Sequence, residues 1–243
     1  MNLLNTQEKS LFWRGFILLL FFLMSSTCLA STFNIHEGSS KVGNYQRYKT
    51  KGGETLFDIA YHFDVGMGEM TRVNPHLRHR ILPKGVEVII PATYVLPQSV
   101  PKSGIVLNLA QLRVYYFHPN GTEVSTYPVG VGRQGWSTPV GTTSIVNKVR
   151  NPTWRPPASI RREAARKGKT LPTAIGPGPK NPLGHYAMHL GFQRILMHGT
   201  NAPRTVGLRS SHGCIRMYSK DIEELFSMVP VGTPVRIIYE ARK

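Results

Sequence analysis

Acidic residues and cysteine are what this chain of 243 residues lacks. It has 13 aspartates and glutamates against 30 lysines and arginines, for a formal net charge of +17. That surplus excludes an acidic, self-repelling chain and directs attention to anionic partners: nucleic acid, acidic lipid or an anionic polymer. Only two cysteines occur, Cys28 and Cys214, so a disulfide-stapled scaffold is excluded as well. What the chain does have is 41% apolar residues, enough to bury the core of one medium domain and a small one.

Residues 1–30 are set apart. Lys9 and Arg14 precede an apolar run over 15–24, and small and polar residues follow, ending in Cys28-Leu29-Ala30. This order predicts a secretory signal peptide with cleavage after Ala30. A retained anchor is the alternative, disfavoured because the apolar run is shorter than the about 20 residues a span prefers. No stable membrane span is expected after cleavage. A lipid-modified Cys28 is disfavoured because Ser25-Ser26-Thr27 before it lacks leucine and small apolar residues. Without this segment 28 basic and 12 acidic residues remain, a net +16, and Cys214 becomes the sole thiol. Export makes lipid and wall polymer better partners than nucleic acid, for which no binding motif is present. A single thiol in an oxidising compartment also calls for a chemical reason.

The pattern then divides the remainder. Residues 31–45 carry no apolar periodicity and read as a flexible lead-in. Over 46–92 the order is strand, helix, helix, strand: Leu56, Ile59, Ala60 and Phe63 recur at helical spacing after the turn at Gly52-Gly53, a second helix covers 67–73 and stops at Asn74-Pro75, and 86–91 is a closing strand. The basic run 78–80 reads as a solvated face or a contact for an anionic ligand. Residues 93–101, with Pro97 and Pro101, read as a linker. From 102 to 243 short strands dominate, over 105–109, 113–117, 124–130, 141–149, 186–190, 194–198 and 235–239. Helices are expected over 159–167 and over 220–228 with Ser219 as N-cap, the latter with Ile222, Leu225, Phe226 and Val229 on one face and Asp221 in its first turn. The fold class is therefore mostly β, preceded by a small α+β unit.

Chemistry concentrates near the end of the second unit. His198 closes a strand, and twelve residues separate it from Ser211-His212-Gly213-Cys214-Ile215-Arg216. A thiol at its ordinary pKa is mostly protonated, so nucleophilic use of Cys214 needs a base or cation nearby, and His198 and His212 are both candidates. Gly213 permits a tight backbone whose N–H groups face a developing oxyanion, and Arg216 favours thiolate. Each piece alone has a structural reading: a small buried cysteine, a satisfied histidine, an arginine in an ion pair. His198, His212 and Cys214 as zinc ligands form a third reading, disfavoured because no further cysteine or carboxylate stands close in sequence.

Two resemblances bear on these residues. TKGGETLFDIAYHFDVG, NPHL and LPKGVEVIIP resemble the LysM domain, which implies binding to the N-acetylglucosamine-containing glycan of peptidoglycan, or else a packing module that has lost its ligand. HGTNAPRTVGLRSSHGCIRM resembles the signature of the L,D-transpeptidases with a YkuD-type catalytic domain, a β-sandwich with a lid segment. Ile105-Val106-Leu107-Asn108, Tyr127-Pro128-Val129-Gly130, Thr138-Pro139-Val140-Gly141, Pro152-Thr153-Trp154 and Asn181-Pro182-Leu183-Gly184 extend the likeness over 102–239. It implies Cys214 as nucleophile, His198 as its base and the Gly199 carbonyl as the group orienting the imidazole. Ser211, His212 and Gly213 would shape the oxyanion region, Arg216 would support the site or touch substrate, and the segment 154–184 would cap the cleft. No metal or cofactor is implied.

The implied reaction is acyl transfer on peptidoglycan. Cys214 attacks the third residue of a tetrapeptide stem, commonly diaminopimelate, and expels D-alanine. The acceptor is another diaminopimelate, giving a 3→3 cross-link, or the lysine of an outer-membrane lipoprotein, or water, which would make an L,D-carboxypeptidase. The implied setting is the periplasm, with stem peptides and glycan as partners. A different class of function, a catalytically silent wall-binding scaffold, stays as the alternative.

Overall fold

The structure, a computed structural model, describes residues 31–78 and 80–241. The expected signal peptide and His79 of the basic run lie outside them.

The N-terminal part contains strands β1 (Ser31–Asn34), β2 (Lys41–Gly43), β3 (Gln46–Lys49) and β4 (Glu54–Thr55), then helices α1 (Leu56–His62) and α2 (Met67–Val73), then strands β5 (Ile81–Leu82), β6 (Glu87–Ile90) and β7 (Thr93–Val95). Helix α1 starts where it does because Thr55 and Asp58 form a reciprocal capping box: the Asp58 N–H donates to Thr55 Oγ1 at 3.3 Å, and the Thr55 N–H donates to Asp58 Oδ2 at 2.8 Å. Its apolar residues Leu56, Ile59 and Ala60 are buried. Buried Asn74 stops α2 and ties it to β6, donating to the Met70 and Ile89 carbonyls and accepting from the Ile89 N–H.

The C-terminal part adds β8 (Gly104–Asn108), β9 (Arg113–Phe117), β10 (Glu123–Pro128), β11 (Val131–Gly132), β12 (Gly141–Arg150), α3 (Ala158–Arg166), β13 (Tyr186–Leu190), β14 (Leu196–His198), β15 (Arg209–Ser211), β16 (Ile215–Arg216), α4 (Ser219–Met228) and β17 (Pro234–Ile238). The fold is mostly β. Nine strands run in the order β1-β10-β9-β8-β17-β12-β13-β14-β16. The long β12 joins the two halves: Gly141 to Ser144 pair with β17, and after a register shift near Ile145 the rest pairs with β13. Such irregularities bend a strand so that one sheet turns into a second layer.

Strands β8 and β9 have few polar positions because both faces of the sheet are covered. Ile105, Leu107, Val114 and Tyr116 join a core with Met197, Ile215 and Leu225. The alternate residues Val106, Tyr115 and Phe117 join a second core with Leu56, Ile59, Val88 and Tyr94 from the N-terminal part. The two parts therefore share a core across one sheet.

This sharing corrects two expectations. Residues 31–45 are not a flexible lead-in: β1 pairs antiparallel with β10, and β2 with β7. Besides backbone bonds and the Thr32–Ser125 hydroxyl contact at 2.7 Å, Phe33 and Ile35 pack against the shared core, an alternation too short to announce the strand. Nor are residues 93–101 a free linker, since β7 carries fully buried Tyr94 and Leu96 follows it into the core. A smaller correction concerns Ser219, which is the first residue of α4 rather than its cap; Tyr218 takes the cap position, without a side-chain bond.

A charged cluster sits in the seam. Arg113 is 1% exposed, donates to the Asp64 carbonyl at 2.9 Å and to Thr126 Oγ1 at 3.0 Å, and stacks on the Tyr94 ring at 3.6 Å. Lys220 pairs with the Asp64 carboxylate at 2.5 Å, and the Tyr218 hydroxyl donates to the Val65 carbonyl at 3.1 Å. Asp221, expected to serve the N-terminus of α4, is instead 1% exposed in this seam. Burial and then the neighbouring Asp64 carboxylate push its pKa well above the usual carboxylate range.

A raised carboxyl pKa means that folding takes up a proton, so this contribution is full in acid and is lost as pH rises through the folded group's range. Asp221→Asn, which keeps the shape and removes the ionisation, should raise the melting temperature at pH 8 by about 2–4 °C, the shift that 1 kcal/mol makes in a chain of this size. It should change little at pH 4. Thermal unfolding of both proteins at the two pH values checks this; an equal shift at both would contradict it.

Candidate active site

Strands β14 and β16 pair in parallel, with Met197 opposite Ile215 and His198 opposite Arg216. Cys214 immediately precedes β16. Side chains two apart on a strand share a face, and so do residues paired across a ladder. Met197 and Ile215 enter the core. Leu196, His198, Cys214 and Arg216 consequently share the opposite face.

His198 is 4% exposed, and its Nδ1 donates to the Gly199 carbonyl at 2.5 Å. A carbonyl can only accept, so Nδ1 carries the proton and the Nε2 lone pair is free. Gly184 and Gly199 allow this arrangement. Gly184 has φ of +65°, and a Cβ on it would lie 3.0 Å from the Gly199 Cα. Burial lowers the His198 pKa to about 4, with the charge of Arg216 adding to the effect and the Gly199 bond opposing it. The imidazole is neutral at neutral pH.

The Cys214 thiol is half-buried and lies 3.5 Å from the Arg194 carbonyl. Burial pushes its pKa up, against the Leu196 N–H and the charge of Arg216, both of which pull it down. Arg216 thus acts on the thiol in the expected direction, but desolvation outweighs it. The resting pair is thiol and neutral imidazole, not thiolate and imidazolium.

The residues around the sulfur divide by what they touch. Gly213 has φ of +102°, a conformation that favours glycine. Its N–H, expected to face an oxyanion, donates instead to Ser211 Oγ at 3.1 Å, while Ser211 Oγ donates to the Cys214 carbonyl at 2.5 Å. Buried Ser211 therefore braces the loop from within. Among the described residues the Cys214 N–H has no hydrogen-bond partner. Arg216 is half-buried, exchanges backbone bonds with Gly130 and reaches Thr205 Oγ1 at 3.4 Å, which holds it on the face it shares with His198 and Cys214. His212 turns its Nε2 to Glu163 Oε2 at 2.9 Å and stacks edge-on against Trp136 at 4.7 Å. Among the described residues no group of three or more His, Cys, Asp and Glu is placed to hold a metal ion.

A cavity of about 830 Å³ opens over Cys214 and His212, walled by Trp136, Trp154, Ile160 and Leu183 among others. Its roof comes from the segment 152–160 and so from the start of α3. Trp136, Arg133 and Glu163 went unnoticed in the sequence. Glu163 had a signal, being the one acid among the basic residues of 152–184.

A raised thiol pKa makes alkylation a direct reporter, since only thiolate reacts. The rate of Cys214 modification by iodoacetamide should rise with a midpoint above the about 8.5 of a free cysteine. A midpoint well below that value would show a preformed ion pair.

Sequence comparison places this geometry among known proteins. The profile of the YkuD L,D-transpeptidase catalytic domain matches residues 102–237. The probable L,D-transpeptidase ErfK/SrfK of Escherichia coli is 40% identical over 88% of this chain and 70% of its own length. Probable L,D-transpeptidase YbiS of the same species is 39% identical over 99% and 78%. Putative L,D-transpeptidase YkuD of Bacillus subtilis is 32% identical over 78% and 97%. The catalytic domain of the Enterococcus faecium L,D-transpeptidase, known by NMR, is a more distant likeness: 23% identical, TM-score 0.44, covering 58% of this chain and all of that one. With the profile spanning more than half of the residues and several relatives matching over most of both chains, the protein belongs to the YkuD L,D-transpeptidase family.

Proposed function

We propose that Cys214 is the nucleophile and His198 the base of an acyl transfer from a tetrapeptide stem of peptidoglycan. The observation that supports this reading is the shared face of β14 and β16, which carries a buried imidazole protonated on Nδ1 and, on the neighbouring strand's approach, the thiol that borders the cavity.

The steps follow from the protonation states. As Cys214 Sγ attacks the carbonyl of the third stem residue, its proton passes to His198 Nε2. The Cys214 N–H, without an internal partner, can donate to the oxygen that becomes negative. Collapse breaks the bond to the terminal D-alanine, whose amine leaves with the proton held by His198. An acceptor amine then attacks the thioester and gives its proton to His198, the new amide forms, and the thiol is restored. A diaminopimelate amine as acceptor yields a 3→3 cross-link, and a lipoprotein lysine yields attachment of that protein to the wall. Water yields carboxypeptidase action. Gly199 orients the base, Ser211 and Gly213 shape the loop, and Arg216 adds positive charge on the face that carries the pair.

The N-terminal part, in this proposal, is a LysM-like unit over 46–92 that holds glycan while the catalytic unit over 102–243 works on the stems. The resemblance of its sequence and the surplus of positive charge support this reading. The setting proposed is the periplasm after export. Among the described residues no helix is long and apolar enough to cross a membrane.

A carbapenem supplies a strained carbonyl that an attacking thiol opens without a leaving amine. Intact-mass measurement should find one adduct on the protein and none on Cys214→Ala; equal adducts on both, or none on either, would overturn the reading. Cys214→Ala should still sediment with isolated sacculi. A wall phenotype unchanged by that substitution would favour the silent scaffold.

A further inference from the structure

Helix α3 lies over the cavity yet fully buries none of its residues, and Ile160 is its one large apolar side chain, so apolar packing holds it only lightly. Its base is secured elsewhere. Trp154 and Ile175 exchange backbone bonds at 2.8 Å, and Asn181 Nδ2 donates to the Pro152 carbonyl at 2.6 Å and the Gly176 carbonyl at 3.1 Å. Ala158, Ser159 and Ile160 of the helix line the cavity, and one charged side chain ties the helix to the rest of the site. Glu163 Oε1 accepts from Arg133 Nη2 and from Lys167 Nζ, each at 2.6 Å, and Glu163 Oε2 accepts from His212 Nε2 at 2.9 Å. Its side chain is 12% exposed.

The two outer partners lead to the nucleophile. His212 lies two residues before Cys214, and the Arg133 N–H donates to the Ser211 carbonyl at 3.1 Å. Trp136 packs on His212 and walls the same cavity. One carboxylate therefore joins the lid helix, the loop after β11 and the loop that carries the thiol. Lys167 comes from α3 itself and contributes nothing across the gap.

The geometry points to Glu163 as a latch, a positioning residue that closes α3 over the cavity and fixes His212 with its proton on Nε2. Acceptance by the carboxylate keeps that proton in place, so His212 Nε2 is withheld from the thiol and His198 is left as the base. The link is charge-assisted and short on both sides, which makes it strong for one side chain, and with little apolar burial in α3 it is the main tie across the gap. Opening the lid would loosen ligand binding more than it would slow the chemistry. The inference rests on Cys214 being the acylated residue.

Glu163→Gln removes the charge with little change of shape, and Arg162→Gln serves as control on the same helix. Carbapenem acylation followed at several concentrations separates binding from chemistry, while hydrogen exchange reports opening of 154–167. Glu163→Gln should weaken apparent binding about tenfold, leave the limiting acylation rate within about threefold, and raise exchange over 154–167 selectively. Adding Arg133→Gln should then cost less than it does alone, because the partner carboxylate is already gone. Unchanged exchange and binding would overturn the latch, as would a fall confined to the limiting rate, or a lower melting temperature with uniform exchange. Absence of any adduct at Cys214 in the unaltered protein would instead overturn the nucleophile assignment, and exchange would still decide the latch.

Discussion

The parallel pairing of two very short strands, β14 and β16, is the constraint on which the site depends. It puts His198 and Cys214 on one face and drives Met197 and Ile215 into the core on the other. Slipping the register by one residue would reverse both faces at once. The same pairing buries the imidazole, and burial sets its chemistry: a histidine taken out of water stays neutral, and a thiol half-buried on the same face keeps its proton. Activation is thereby deferred to the moment of attack, when a proton moves along a path already laid out. A thiol kept protonated at rest is also less open to oxidation.

A sheet covered on both faces explains why the two parts of the chain act as one body. Residues of β8 and β9 alternate between the catalytic core and the core shared with the N-terminal part. Gly66 and Gly207 approach so closely that a Cβ on Gly66 would fall 2.8 Å from the Gly207 Cα. Arg113, Asp64 and Lys220 place charges in the same seam beside the buried carboxyl of Asp221, where breaking one partner costs more than forming the set gains.

Much of this was legible in the residues. The runs over 105–109 and 113–117 announced strands because continuous apolar stretches suit a doubly covered sheet, and Ile222, Leu225 and Phe226 announced the buried face of α4. Cys214 and His198 stood out because a thiol and an imidazole flanked by glycines form a compact pattern. Other features had no local mark. Strand β1 pairs with a partner ninety-odd residues away, Thr32 opposite Ser125, and the two apolar residues there, Phe33 and Ile35, are too few to mark a strand. Glu163 meets His212 across 49 residues of chain. The protonation of the site follows from burial, which is a property of the packed whole: Arg216 pointed toward thiolate in the sequence, and desolvation reversed the balance.

The neutrality of His198 is the part of the account from which its mechanism follows, and it can be read directly. Nitrogen-15 NMR of the histidine rings across pH distinguishes neutral from charged imidazole and one tautomer from the other. The account predicts that His198 stays neutral, protonated on Nδ1, from pH 8 down to a transition near pH 4. A charged ring at pH 7 that loses its charge in Cys214→Ala would contradict it, since that is the mark of a resting thiolate–imidazolium pair.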